Sequence, residues 1–155
     1  MLCPTEATNA PATSSNGTSA TADRTPRSYL INGWNDHYAD ILSPAEFGQY
    51  MAGNYTNGLK ESVITHPMDT VVLGEKRAET GDYHMDLLEG TGNDFSGVAE
   101  LSRHSGQGAS TKSGGVIHPF ADGSARYLRF PRSLNLLNLW AISDANRIKY
   151  QVIFN

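Results

Sequence analysis

Five side chains of the types that bind metals or transfer protons lie in the second half of the chain: His84, Asp86, His104, His118 and Asp122. Imidazole and carboxylate groups can hold a transition metal or act as general acids and bases. His84 and Asp86 would lie on one side of a strand, although alternating surface polarity gives the same pattern. No pair has the short His or Cys spacing that is typical of zinc sites. The pattern therefore favours structural roles over a transition-metal site.

An activated nucleophile is not indicated either. The chain has no Gly-x-Ser-x-Gly elbow, and its single cysteine, Cys3, lies in a polar tail remote from any histidine. The segment 106–113 resembles a phosphate-binding loop, but Thr111 stands where that loop requires glycine before Lys-Ser. We predict no catalytic residues, no enzymatic activity and no nucleotide site.

Two kinds of ligand have candidate residues. Asn93 and Asp94, in the glycine-rich turn 90–94, could supply oxygen ligands to calcium, although the spacing matches no EF-hand and such turns form without metal. No other cofactor is indicated. Aromatic side chains could form a platform for sugar, or they could simply pack in a small β-rich domain. The aromatic candidates are Trp34, Tyr38, Tyr50, Tyr55, Tyr83 and Tyr127.

The composition indicates one domain preceded by a polar arm. The chain has 155 residues and a net charge of −4, which allows a single core and argues against nonspecific binding to nucleic acid. Residues 5–25 contain no large apolar side chain, so we predict an extended or disordered Ser/Thr-rich arm over residues 1–26 and a folded domain over residues 27–155. No apolar run is long enough to span a membrane.

Local signals predict the elements that would position these residues. Asp122-Gly123 lies between two β-prone runs and predicts a β-hairpin with a two-residue turn. Ser43-Pro44-Ala45-Glu46 is a capping box that begins a short helix ending near Gly53, and we expect the sheet that contains the hairpin to pack on this helix. The predicted fold class is α+β, mainly antiparallel sheet with one or two short helices. The remaining predicted strands are Ser28–Trp34, Glu61–Thr65 paired with Thr70–Lys76, and a closing strand over Ile148–Phe154.

The order of several short motifs resembles the C-terminal domain of bacterial prepilin-like proteins, the pseudopilins. The motifs are Cys3-Pro4, Ser28-Tyr29-Leu30-Ile31-Asn32, Thr70-Val71-Val72-Leu73-Gly74-Glu75, Arg103-His104-Ser105-Gly106 and Phe120-Ala121-Asp122-Gly123. The resemblance implies a pilin-like globular domain in which Arg103, His104, Asp122 and Gly123 form a structural motif, with His104 donating to backbone carbonyls near the hairpin. Two features depart from the family pattern. The loop between His104 and Asp122 is longer, and the apolar N-terminal helix is missing.

The resemblance implies a structural subunit of an extracellular or bacterial cell-envelope filament. Residues 78–100 contain acidic side chains without Lys or Arg, whereas the region from residue 101 onward is mainly basic, as suits head-to-tail assembly of a homopolymer. Asn16 and Asn54 lie in sequons and are candidate sites for covalent glycan in an exported protein. The alternative is a monomeric envelope domain that binds glycan or calcium.

Overall fold

The computed structural model describes residues 28–77, 80, 84–88, 95, 99–100, 104 and 114–153. These residues form a small mixed α+β domain, as the sequence predicts. Its strands are β1 (Tyr29–Asn32), β2 (Leu73–Glu75), β3 (His84–Met85), β4 (Gly115–Pro119) and β5 (Ala125–Arg129). Its α-helices are α1 (Asn35–Ile41), α2 (Pro44–Met51) and α3 (Asp144–Lys149), and short 3-10 turns cover Glu61–Val63 and Pro67–Asp69.

The strands form two small sheets joined by one segment. In the first sheet, of order β2-β1-β3, β1 pairs antiparallel with β2 and parallel with β3. The second sheet is the antiparallel pair β4–β5. Val71 forms an antiparallel β-bridge with Phe120. The Val72 N–H donates to the Pro119 carbonyl at 3.0 Å, a normal hydrogen-bond distance for a sheet. The residues just before β2 therefore hold the hairpin against the first sheet.

The predicted Asp-Gly hairpin is confirmed, but its turn is longer than the predicted two residues. The Gly123 N–H donates to the Phe120 carbonyl at 3.0 Å, and the Phe120 N–H donates to the Ser124 carbonyl at 2.8 Å. Gly123 has φ +85°, and Asp122 is not among the residues with positive φ. This is a type I turn followed by a left-handed glycine. Asp122 Oδ1 closes it by accepting from the Ser124 N–H at 2.9 Å.

Replacing Gly123 with valine is expected to lower the free energy of unfolding by about 1–3 kcal/mol, because a β-branched residue resists positive φ. A Cβ at this position would have no neighbouring atom within 4 Å, so the effect isolates backbone conformation from crowding. Gly48 is the matched control, since it lies in α2 and also has open space around its Cβ position. Chemical denaturation should show a loss for Gly123→Val and little change for Gly48→Val. Equal stability of the two variants would contradict this account of the turn.

The core lies between the two sheets and the C-terminal segment. Trp140 is almost completely buried and packs over Gly74 in β2, where an added Cβ would come within 2.6 Å of the indole ring. His118 of β4 meets the same indole edge-on, with ring centroids 5.7 Å apart. Other buried members of this cluster are Leu30, Val71, Met85, Leu87, Phe95, Phe120 and Leu134.

Helix α2 begins where the capping box predicts, but it packs differently from the expectation. Ser43 Oγ accepts from the Glu46 N–H at 3.4 Å, and Glu46 Oε2 accepts from the Ser43 N–H at 3.0 Å. The sequence predicts that the hairpin sheet packs on this helix. Instead α2 packs against α1, and the Tyr50 hydroxyl donates to the Gly33 carbonyl at the end of β1.

Helix α1 is absent from the sequence prediction because its start carries no side-chain cap. Its N-cap residue is Trp34, which has φ 59° and makes no side-chain capping bond. The two polar residues that follow, Asn35 and Asp36, are both buried. Asn35 Oδ1 accepts from the Leu87 N–H at 3.1 Å, so tertiary contacts rather than local signals hold this helix.

Two predicted strands are wrong. Glu61–Val63 forms a 3-10 turn, and β2 pairs with β1 rather than with the segment Glu61–Thr65. The closing strand predicted over Ile148–Phe154 does not form in its described part: α3 takes up Ile148 and Lys149, and residues 150–153 form neither helix nor strand. The N-cap of α3, Ser143, accepts from the Asn146 N–H at 3.2 Å. A serine cap followed by Asp144 is a helix-start signal that outweighs the weak apolar alternation after Ile148.

Helix α3 ties the C-terminal segment to the first half of the chain. Asn146 Nδ2 donates to Asp36 Oδ2 at 3.2 Å. Arg147 is buried and donates to the Asp69 carbonyl at 3.1 Å and to Thr70 Oγ1 at 2.7 Å. Burial raises the pKa of Asp36 above its ordinary value, although hydrogen bonds partly offset the effect. No helix within the described ranges is long and apolar enough to cross a bilayer.

Candidate functional site

A buried carboxylate and a histidine join two of the motifs at the base of the hairpin. Glu75 lies at the end of β2 and is 1% exposed. His104 Nε2 lies 2.8 Å from Glu75 Oε1, and the His104 N–H donates to the Gly115 carbonyl at 3.3 Å. The sequence predicts that the His104 side chain satisfies backbone carbonyls. The imidazole instead contacts a carboxylate, and only the backbone of His104 reaches the hairpin.

Asn32 joins three separate parts of the fold. Its Nδ2 group donates to the Val71 carbonyl at 2.8 Å and to the Trp140 carbonyl at 2.6 Å. Its Oδ1 atom accepts from the Trp34 N–H at 3.0 Å. The Asn32 side chain is buried, so all three bonds form where water cannot replace them. This residue fixes the segment before β2, the C-terminal segment at Trp140 and the backbone that leads into α1.

An open cleft of about 580 Å³ lies between the end of β1, the two N-terminal helices and the loop that follows α2. We call it the aromatic cleft. Its aromatic lining residues are Trp34, Tyr38, Tyr50 and Tyr55, and its other walls include Met51, Leu59, His84 and Asp86. Pockets of this volume accommodate small organic ligands.

The three tyrosines form one wall of the aromatic cleft through mutual ring contacts. The centroids of Tyr38 and Tyr50 are 4.4 Å apart, with ring planes inclined by 36°. Tyr55 meets both rings edge-on, at 5.5 Å from Tyr38 and 6.2 Å from Tyr50. Edge-to-face contacts of this kind stabilise aromatic clusters beyond simple burial. Trp34 lines the same cleft without contacting another ring in the part of the chain that the structure describes.

The electrostatic character of the aromatic cleft is neutral to acidic. Asn35 Nδ2 and the Leu88 N–H both donate to Asp86 Oδ1, which orients this carboxylate on the cleft wall. Burial, followed by the neighbouring Tyr38, Asp86 and Asp36, raises the pKa of Tyr50 well above its usual range, so its hydroxyl stays protonated. None of the described residues that line the cleft is Lys or Arg. The cleft is therefore unsuited to phosphorylated or other anionic ligands.

The structure separates the five metal or proton-transfer candidates. Asp122 caps the hairpin turn, His104 contacts Glu75, and His118 lies in the core against Trp140. Only His84 and Asp86 share a feature, the aromatic cleft. Across the described ranges, no three His, Cys, Asp or Glu side chains are placed to share an ion.

Several predicted residues lie outside the described residues: Cys3, Asn16, Tyr83, Asn93, Asp94, Arg103 and the loop 106–113. The calcium prediction therefore stays a prediction. Asn54 is described and exposed, just after α2, where a modifying enzyme could reach it.

Comparison with known proteins found no matching family model, curated protein or solved structure. The resemblance to prepilin-like proteins therefore stays a prediction.

Sequence reasoning identified the aromatic residues of the cleft but not their separation into two groups. Trp34, Tyr38, Tyr50 and Tyr55 converge, whereas Tyr127 lies on the outer face of the hairpin opposite Ile117. The usable signal was the density of aromatic residues between positions 34 and 55. Asn35, which orients Asp86, gave no such signal, because its role depends on how the start of α1 meets the residues that follow β3.

Proposed function

We propose that this chain is the structural subunit of an extracellular or cell-envelope filament, in which copies assemble head-to-tail. The observation that carries the proposal is the outer edge of β5. Within the described residues, β5 pairs with β4 alone. An open strand edge offers a row of backbone donors and acceptors to another chain.

The register of the hairpin identifies which backbone groups face outward. The Phe130 N–H donates to the Gly114 carbonyl at 2.9 Å, and the Phe120 N–H donates to the Ser124 carbonyl at 2.8 Å. Hydrogen-bonded and non-hydrogen-bonded pairs alternate in an antiparallel ladder. The backbone groups of Ala125 and Tyr127 therefore point away from β4, toward the open edge.

The side chains beside this edge also suit contact with another chain. Ile117 and Tyr127 are directly opposite each other on the outer face of the hairpin, 42% and 47% exposed. A cross-strand apolar pair of this kind can pack on an added strand. The edge and the pair together form a continuous acceptor surface, which we call the β5 edge.

The proposed occupant of the β5 edge is the segment 5–25 of a neighbouring copy. This segment has no large apolar side chains with which to build a core, and it directly precedes β1 in the sequence. About twenty extended residues span up to about 65 Å, which is enough to cross a domain of this size. Strand addition to a sheet edge uses main-chain hydrogen bonds and so tolerates a sequence rich in Ser and Thr.

Such a contact joins two different surfaces, so it generates a ring or an open helix rather than a closed two-fold dimer. The partner is thus another copy of the same chain.

Covalent glycan at Asn16 or Asn54 belongs to the same proposal of an exported protein, and intact-mass measurement of the native material tests it.

The proposal predicts that deleting residues 1–26 abolishes polymers in negative-stain images and in sedimentation. The replacement Tyr127→Pro should do the same, because it removes an outward N–H without removing a donor to β4. Tyr127→Thr is the matched control, since it shortens the side chain but keeps the outward N–H. We expect it to weaken assembly, because the apolar pair with Ile117 is lost, but to retain polymers.

Thermal melting must show that all three variants remain folded. Polymers of the truncated chain that match those of the full chain would contradict the proposal. Loss of polymers in both Tyr127 variants alike would show that the side chain, rather than the strand edge, makes the contact.

A further inference from the structure

Two aromatic side chains of the cleft, Trp34 and Tyr55, carry polar groups that are available to a ligand. The Tyr38 hydroxyl donates to the Asn57 carbonyl at 3.4 Å, and the Tyr50 hydroxyl donates to the Gly33 carbonyl. The Trp34 indole N–H and the Tyr55 hydroxyl make no hydrogen bond with the described part of the chain. Both residues are half-buried and line the open cleft, so their polar tips are within reach of a bound molecule. A ligand in the cleft would provide them with hydrogen-bond partners.

The backbone at Trp34 holds the indole in place. Its φ of 59° lies in the left-handed region, which is unusual for a bulky residue. The bond from the Trp34 N–H to buried Asn32 Oδ1, at 3.0 Å, fixes this conformation from inside the fold. Strained backbone conformations concentrate at ligand sites, where surrounding structure maintains them.

Charge and shape narrow the class of ligand. The cleft has the volume of a small-molecule site, and its described lining contains a carboxylate but no Lys or Arg. The mutually packed tyrosine rings leave no space among themselves for a cation, since their centroids are only 4.4–6.2 Å apart. A neutral ligand with flat apolar faces and peripheral hydroxyl groups fits this volume and this distribution of charge.

We infer that the aromatic cleft binds neutral carbohydrate through stacking on Trp34 and Tyr55. β-1,4-linked glucose-configured units are the best match, because their hydroxyl groups are equatorial and both ring faces carry only C–H groups. The indole N–H and the Tyr55 hydroxyl bind sugar oxygens, and the Asp86 carboxylate accepts from sugar hydroxyls. This inference is independent of filament assembly, since the β5 edge and the cleft are built from different elements.

Intrinsic fluorescence provides a direct test, because the chain has two tryptophans in different settings. Trp34 lines the open cleft, whereas Trp140 is 1% exposed in the core. Titration of the full chain with cellohexaose or hexa-N-acetylchitohexaose, which are both neutral, should give a saturable change with half-saturation below about 5 mM. Mannohexaose is the matched ligand control, since its axial hydroxyl disrupts one apolar face, and it should bind at least about fivefold more weakly.

Variants locate the binding while keeping Trp34 as the reporter. Tyr55→Ala should weaken binding of the glucose-configured hexaoses by about tenfold, in line with the loss of one stacking ring. Tyr55→Phe keeps the ring and the fold and should weaken binding by about threefold, through loss of the hydroxyl alone. Met68→Ala is the protein control, because Met68 is 67% exposed and lies outside the cleft, and it should stay within about twofold of the parent chain.

Three results would overturn the inference. The first is a fluorescence response that has not reached half-saturation by about 5 mM of either glucose-configured hexaose. The second is equal binding of mannohexaose. The third is unchanged affinity in Tyr55→Phe together with half-saturation by tetramethylammonium at a lower concentration than the hexaoses, which would identify a cation site instead.

Discussion

Replacing Asn32 with leucine is expected to lower the free energy of unfolding by about 4 kcal/mol, the largest effect of any single change considered for this chain. Leucine has a similar volume but cannot bond to the carbonyls of Val71 and Trp140 or to the Trp34 N–H. All three groups would then stay buried without this partner. A buried polar group that loses its partner is destabilising by about 1–3 kcal/mol.

Urea denaturation measures this effect, with Asn54→Leu as the matched control. Asn54 is exposed and its side chain makes no described hydrogen bond, so the control should change stability by less than about 0.5 kcal/mol. A similarly small change for Asn32→Leu would contradict the role of its side chain in joining β1, the segment before β2 and the C-terminal segment.

Acid should destabilise the protein between pH 6.5 and pH 4 through His118. Burial lowers the pKa of His118 to about 4 from its ordinary 6.5, although a hydrogen bond with the Leu73 backbone opposes the shift. Between these two values the unfolded chain binds a proton that the folded chain does not. The stabilisation is therefore complete above pH 6.5 and is lost as the pH falls toward 4, by up to about 3 kcal/mol.

Measurement of unfolding free energy across this range, for the parent chain and for His118→Gln, isolates the contribution. Asp36 changes stability in the opposite direction, because burial raises its pKa and the folded chain therefore gains stability as the pH falls. For this reason the pH slope of His118→Gln must be compared with the slope of the parent chain. Leu128→Val is the control. It trims a residue packed against the core but leaves the imidazole in place, so it should keep the acid slope. An unchanged slope in His118→Gln would show that the buried imidazole does not govern this pH dependence.

Elements with a complete local signal were predictable from the sequence. The capping box at Ser43 begins α2, and Asp122-Gly123 makes a hairpin, because each signal satisfies backbone groups within a few residues. Even there the turn differs in length, since Asp122 acts through its side chain rather than through positive φ.

Elements that depend on distant partners were not predictable. Helix α1 begins at a left-handed Trp34 without a side-chain cap, and its first residues are polar but buried. The 3-10 turn at Glu61–Val63 resembles a strand in composition, and only the pairing of β2 with β1 reveals the difference. The aromatic cleft has the same origin. Its residues could be named from the sequence, but their convergence depends on how α1 and α2 meet the end of β1.

Several buried hydrogen bonds of this fold join residues that are far apart in the sequence. Asn32 and Trp140 are 108 residues apart, Asp36 and Asn146 are 110 apart, and Thr70 and Arg147 are 77 apart. Contacts of such high sequence separation slow folding, because the intervening loop must close before the contact forms. The N-terminal half cannot complete these hydrogen bonds until the C-terminal segment has been synthesised. The chain is therefore expected to reach its native fold only after translation is complete.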